Sequence, residues 1–198
     1  MAIEISEKMT VAAPIAAAWQ FIQDPQRVVT CMPGAELVEQ LDDKTYVGKV
    51  KVKLGAITTA YKGEVAFAKV DAANHTLQLT GEGRETGGGT AKGSLDVVLV
   101  EVDGGTELSF EIRVDLTGKV MQMGRGMIKG VSAQLFKQFA AAAGQQIQAL
   151  SSASGAGASP APAPVQEAQA LSVVPLLGRT LWQAIVDFFK RLFGAASR

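Results

Sequence analysis

Glu107-Leu108-Ser109-Phe110-Glu111-Ile112-Arg113-Val114-Asp115-Leu116 runs straight into Thr117-Gly118, and the fold follows from what stands on either side of that junction. Leu108, Phe110, Ile112, Val114 and Leu116 alternate with polar or charged residues, the period of two that turns one strand face to a core and the other to water. Past Gly118 the period changes. Val120, Met123, Met127, Val131, Leu135 and Phe139 recur at steps of three and four, with Ile128 beside them. Lys129, Gln134, Lys137 and Gln138 fall largely off that stripe, so the segment reads as a long amphipathic helix. Such a helix must bury its stripe, and the sheet before it offers the only large apolar face.

Upstream, the same alternation repeats. Val50, Val52 and Leu54 alternate with Lys49, Lys51 and Lys53, and Ile57, Tyr61, Val65 and Phe67 share a face on the return strand. Asp71-Ala72-Ala73-Asn74 is a turn, Leu77 and Leu79 lead a further strand, and Leu95, Val97 and Leu99 another. Asp103-Gly104-Gly105 is a hairpin signal. Before these come a strand at Ile3 to Val11 and a short helix opened by Pro14, with Ile15, Ala18, Trp19 and Ile22 at helical spacing. A second short helix over Gln26 to Cys31 is capped by Asp24 and ended by Met32-Pro33-Gly34. The expected fold class is therefore α+β: a curved antiparallel sheet wrapped around a long C-terminal helix, over residues 1–148.

Composition shifts near position 150. Residues 149–170 are rich in Ala, Pro and Ser and hold too little apolar bulk to offset the entropy of ordering, so they read as a flexible linker. As a coil its twenty residues from Ser151 span about 25 Å, and at most about 65–70 Å extended. Residues 171–198 read as a separate amphipathic helix. Leu177, Leu181, Ile185, Phe188 and Leu192 make one face, widened by Trp182, Phe189 and Phe193, with Lys190 and Arg191 among the charges interrupting it. Those charges and Pro175 argue against a membrane span, and the pattern suits a helix lying at a membrane surface. The other reading is a helix docked on a partner protein or on its own domain.

With 19 basic and 19 acidic residues, no global field invites nucleic acid. Cys31 is the sole cysteine, which excludes an internal disulfide and suits a reducing compartment. No apolar leader is visible over Met1 to Ser6, so the expectation is a cytoplasmic protein, peripheral on the inner face of the cytoplasmic membrane. Catalysis and metal binding have little to stand on. The sole histidine, His75, sits in a turn where it reads as exposed, Cys31 has no neighbouring base, and no metal-ligand spacing occurs. Glycines at 118, 124, 126 and 130 each cost about 0.5–1 kcal/mol within a helix, so their company with Met123 and Met127 points to close backbone approach or to a helix end that shifts to admit a ligand, with ordinary gap-filled core as the other reading. The expected cavity lies between helix and sheet, lined by Tyr61, Phe67, Leu79, Leu95, Val97, Phe110, Ile112, Met123, Met127 and Val131. Arg84 and Arg125 are either surface charges or polar contacts to that ligand.

Ala13-Pro14 with Trp19, Asp24-Pro25, Cys31-Met32-Pro33-Gly34-Ala35, Tyr46 with Gly48, and Tyr61-Lys62-Gly63 form an ordered set. It continues through Gly81-Glu82-Gly83-Arg84, Gly87-Gly88-Gly89, Asp115-Leu116-Thr117-Gly118 and Gly124-Arg125-Gly126-Met127-Ile128. Over roughly residues 1–145 this set resembles the carbon monoxide dehydrogenase G-subunit family of the START-like helix-grip superfamily. The resemblance implies a non-catalytic accessory protein that recruits a molybdenum-containing dehydrogenase to the membrane and binds a menaquinone-type lipid. A pure membrane adaptor without ligand, and an enzyme of cyclase or hydrolase type on the same fold, are the competing expectations.

Overall fold

A computed structural model describes residues 2–54 and 57–155. The alternation that opens the sequence reading is realised in its last strand, β7 (Gly105–Leu116), which buries Thr106, Leu108 and Phe110 and half-buries Ile112, Val114 and Leu116. Before it come β1 (Ala2–Val11), α1 (Ile15–Ile22), α2 (Pro25–Cys31), β2 (Ala35–Gln40), β3 (Thr45–Leu54), β4 (Ile57–Asp71), β5 (Thr76–Glu85) and β6 (Thr90–Val102). A short 3-10 turn (Lys119–Met123) and the 31-residue helix α3 (Arg125–Gly155) follow. The seven strands form one antiparallel sheet in the order β1-β7-β6-β5-β4-β3-β2. Only the β1-to-β2 connection leaves the hairpin pattern, and it carries α1 and α2 from one edge of the sheet to the other.

Glycines set the curl of the sheet. Gly48, Gly63 and Gly83 pair across β3, β4 and β5, and Gly81 pairs with Gly93 on β6. A Cβ on Gly63 would meet the Glu82 carbonyl and the Gly83 Cα, and one on Gly93 would meet the Arg113 carbonyl. Neighbouring strands approach too closely there for any side chain, the situation in which a strand glycine is required.

The core fills one end of the grip. Met9 and Val11 of β1, Ala17, Ala18, Phe21 and Ile22 of α1, and Cys31 of α2 are buried against Leu77, Val97, Leu99, Leu108 and Phe110 of the sheet. Ala143 and Ile147 of α3 close it. The Thr106 hydroxyl, fully buried, donates to the Ala13 carbonyl at 2.8 Å and so ties β7 to the entry of α1. Asp24 caps α2, accepting from the amides of Gln26 at 3.0 Å and Arg27 at 3.2 Å.

Four features differ from the sequence reading. First, β2 was not expected. It is an edge strand paired on one side only and bulged between Leu37 and Glu39, and it carries an exposed Val38, so its apolar pattern is broken. Second, of the expected stripe Ile128 is buried and Val131, Leu135 and Phe139 are half-buried, with Phe136, Ala143, Ile147 and Leu150 extending the packed face, whereas Met127 is exposed. Gly124 separates the 3-10 turn from α3 at φ +77°, so the helical count carried from Val120 across that break misplaces Met127. Third, α3 continues to Gly155, so the first residues of the segment read as linker are helical. Fourth, His75 is not a bare loop residue. Its ring is half-buried, edge-on to Trp19 at 5.4 Å. The expected linker beyond residue 155 and the helix over 171–198 lie outside the described residues.

Candidate ligand site

The concave face of the sheet has two unlike ends. Near α1 and α2 it is solid core. Toward the 3-10 turn and the start of α3, Ile3, Val120 and Ile128 are buried, but Val50 and Val52 of β3, Tyr61 of β4, and Ile112, Val114 and Leu116 of β7 are only half-buried. Register places Val65 on the same face as Tyr61 and Phe67, yet it is 44% exposed. An antiparallel strand shows its core face to water only where the grip is open, and exposed apolar surface of that kind marks a place where something binds.

The expected lining residues divide accordingly. Tyr61, Ile112 and Val131 are half-buried at the open end. Phe67, Leu79 and Leu95 are partly buried against the edge of the core, with Phe67 edge-on to Tyr46 at 6.1 Å. Val97 and Phe110 do not line open space. Phe110 is only 4% exposed, because the rings of Phe136 and Phe139 pack on it at 5.2 and 6.0 Å, and Val97 lies in the same cluster. Met127 is turned outward and is 52% exposed, with Ile128 taking the buried place. The Met123 side chain lies outside the described residues.

The two arginines expected as surface charges or polar contacts both lie at exposed positions. Leu77 and Leu79 face inward on β5, so residues at even positions, Arg84 among them, face out. Arg125 is exposed at the first position of α3. The inward polar group is Glu85, which shares the parity of Leu79 and is the register partner of Tyr61. The Thr59 hydroxyl, 3% exposed, donates to Glu85 Oε1 at 2.8 Å. Glu85 Oε2 is buried with no hydrogen-bond partner, and the Tyr61 hydroxyl is buried without a well-formed hydrogen bond, the Thr59 hydroxyl being its polar neighbour. Burial pushes the Tyr61 phenol above its ordinary pKa, with the Glu85 charge acting in the same direction and the Thr59 hydroxyl against it. Sequence reasoning missed Glu85 and Thr59, although their parity with Leu79 and Tyr61 carried the signal.

A second concavity, of about 490 Å³, lies on the opposite face of the sheet among Glu64, Glu82, Lys92, Arg113 and Asp115. Its charged lining and exposed ion pairs, such as Lys92 to Glu82 at 3.5 Å, make it a poor site for an apolar molecule. Among the described residues no group of His, Cys, Asp and Glu could hold a metal ion, and no helix is long and apolar enough to cross a membrane.

Solved structures share this architecture. A conserved protein from Geobacillus kaustophilus matches with TM-score 0.68 and 18% identity, covering 74% of this chain and 96% of that one. The Zhui aromatase/cyclase from a Streptomyces species matches at 0.56 and 14%, covering 75% and 94%. A START superfamily protein from Mycobacterium smegmatis matches at 0.50 and 13%, covering 74% and 98%. At such identities the likeness is one of fold. No curated protein sequence matches the chain. A seven-stranded antiparallel sheet with a long C-terminal helix packed against it is a START-like helix-grip fold. Within that class the chain belongs to the carbon monoxide dehydrogenase G-subunit family (CoxG), whose pattern matches residues 8–148. Membership implies an accessory role to carbon monoxide dehydrogenase.

Proposed function

We propose that the domain holds a quinone-type lipid, menaquinone or a close relative, in the open end of its grip. As a non-catalytic accessory protein it serves a molybdenum-containing dehydrogenase, of the carbon monoxide dehydrogenase kind or a related aerobic redox enzyme, at the cytoplasmic membrane. The observation that carries this reading is the half-open apolar face around Tyr61, Val65 and Ile112, continuous with a solid core at one end and a small polar cluster at the other. Apolar walls with a few convergent polar groups are the usual composition of a site for a ring-bearing lipid. The membrane address falls to residues 171–198, whose apolar positions Leu177, Leu181, Trp182, Ile185, Phe188, Phe189, Leu192 and Phe193 flank Lys190 and Arg191.

Lipid extraction from the full chain purified without detergent, followed by mass spectrometry, tests the reading. The expected result is a co-purifying quinone in near-stoichiometric amount, displaced by added short-chain menaquinone. Protein that carries no lipid and takes up none on titration would leave the pure adaptor as the function.

A further inference from the structure

The geometry points to Glu85 and Tyr61 as a paired recognition site for a hydroxyl group on the ligand's ring, so that the grip selects a hydrogen-bond-donating ring over one bearing only carbonyls. For the quinone-type lipid proposed above, on which this inference rests, that ring is the reduced, dihydroxy form.

Three observations lead there. Glu85 sits on the concave face, opposite Tyr61 in the β4–β5 register, at the end of the grip where several apolar side chains are half-buried. Its two carboxylate oxygens are not alike: Oε1 accepts from Thr59 at 2.8 Å, whereas Oε2 is buried without a partner, and the Tyr61 hydroxyl is buried without a well-formed hydrogen bond. Glycines let the turn backbone approach Oε2 with no side chain placed over it. A Cβ on Gly89 would stand 2.6 Å from that oxygen and one on Gly118 would stand 3.2 Å from it. Buried polar atoms in native proteins are satisfied, and an orphan in a ligand site is commonly satisfied by the ligand.

The chemistry of the pair decides what it prefers. A carboxylate oxygen only accepts, whereas a tyrosine hydroxyl donates or accepts. A ring hydroxyl donates to Glu85 Oε2 and its oxygen accepts from Tyr61, so both groups are used at once. A ring carbonyl accepts from Tyr61 but brings a lone pair toward Oε2, which stays unsatisfied. A site built around a hydroxyl discriminates strongly against the analogue that lacks it. One charge-assisted bond gained on one side and lost on the other corresponds to about a ten- to hundredfold preference.

Menadiol and menadione, the two redox forms of a naphthoquinone without a tail, are suitable probes, titrated calorimetrically into the full-length protein without oxygen. Wild type is expected to bind menadiol about ten- to a hundredfold more tightly than menadione. Glu85→Gln, whose amide can donate to a carbonyl, should bring the ratio to within about threefold by weakening menadiol and strengthening menadione, and Tyr61→Phe should remove part of it. The ratio is the readout, because loss of fold would weaken both forms together. Equal wild-type affinities would overturn the assignment, with water rather than ligand serving Oε2, and so would a preference that survives in Glu85→Gln. Binding of neither form by normally folded protein would overturn the quinone reading and this assignment together.

Discussion

Cys31 and Tyr61 show what single buried groups do to this domain. Burial raises the Cys31 thiol above its ordinary value near 9.0, outweighing the opposing hydrogen bond with Thr30, and burial likewise raises the Tyr61 phenol above 10.0. A folded-state pKa above the unfolded one gives stability that is whole below the unfolded pKa and is lost as pH climbs through the folded one. Unfolding free energy should therefore be level through neutral pH and fall above about pH 9, and Cys31→Ala should flatten the first part of that fall. Urea titrations from about pH 7 to about 10.5 check this, and an unbroken plateau would contradict it. On the acid side the signs reverse. Asp42 is held low mainly by the Lys44 amide and Asp71 mainly by the Asn74 side chain, so their contribution is lost as pH falls through the depressed values. At this scale the sequence was legible wherever parity was followed. Counting in twos from Leu79 reaches Glu85 and excludes Arg84, whereas attention to charge alone picks the arginine. The packing of His75 on Trp19 joins residues far apart in sequence, and no local pattern announces it.

Elements were legible where one period ran unbroken. β7 and β1 pair from Ala2 with Asp115 to Val11 with Thr106 without a slip, as their alternation requires. α3 was readable as a helix and, from Ile128 onward, largely in phase, but Gly124 at φ +77° interrupts the count from Val120 and leaves Met127 exposed. The glycines around it are accordingly of two kinds. Gly118 has φ +85°, and a Cβ there would lie 2.6 Å from the Gly89 Cα, so Gly118→Ala should cost at least about 1–2 kcal/mol. Gly130 has nothing within 4 Å of its added Cβ, and Gly130→Ala should stabilise by about 0.5–1 kcal/mol. Denaturant melts of the pair should move in opposite directions; a shared sign would mean the start of α3 is not held as described. The same phase argument separates two bulky substitutions. Val65→Trp fills the open end of the grip and should abolish ligand uptake with little change in melting. Met127→Trp, on the outer side of α3, should leave uptake within about twofold of wild type if the buried face is the one that reaches the ligand. Equal loss in both would return Met127 to the lining.

The whole chain joins the described domain to a segment, residues 171–198, whose apolar pattern is expected to need a surface to cover it. α3 runs to Gly155, and Leu150, beyond the expected boundary at Gln148, is partly buried against the core. Truncation after Gln148 therefore removes a packed side chain and should lower stability by up to about 1 kcal/mol, for a leucine that is only partly buried. Truncation after Gly155 removes none of the described packing and should melt as the full chain does. What the longer truncate lacks is the stretch in which Leu177, Leu181, Ile185, Phe188 and Leu192 recur at helical spacing. Each large apolar side chain transferred fully from water contributes at most about 1.5–3 kcal/mol, so even shallow immersion of several exceeds the hold of a single acyl chain. The full chain should then float with liposomes of mixed neutral and anionic lipid, whereas residues 1–155 stay in solution and still bind the naphthoquinone probe. Changing Lys190 and Arg191 to Gln should weaken flotation on anionic vesicles by about 1 kcal/mol per charge, less at high salt. If the full chain stays off every vesicle while the 1–155 form loses its association with the dehydrogenase, the C-terminal segment is a docking helix for protein. Retained flotation by the truncate would instead place membrane binding on the grip domain itself, with Met127 and the exposed start of α3 as the first surface to mutate.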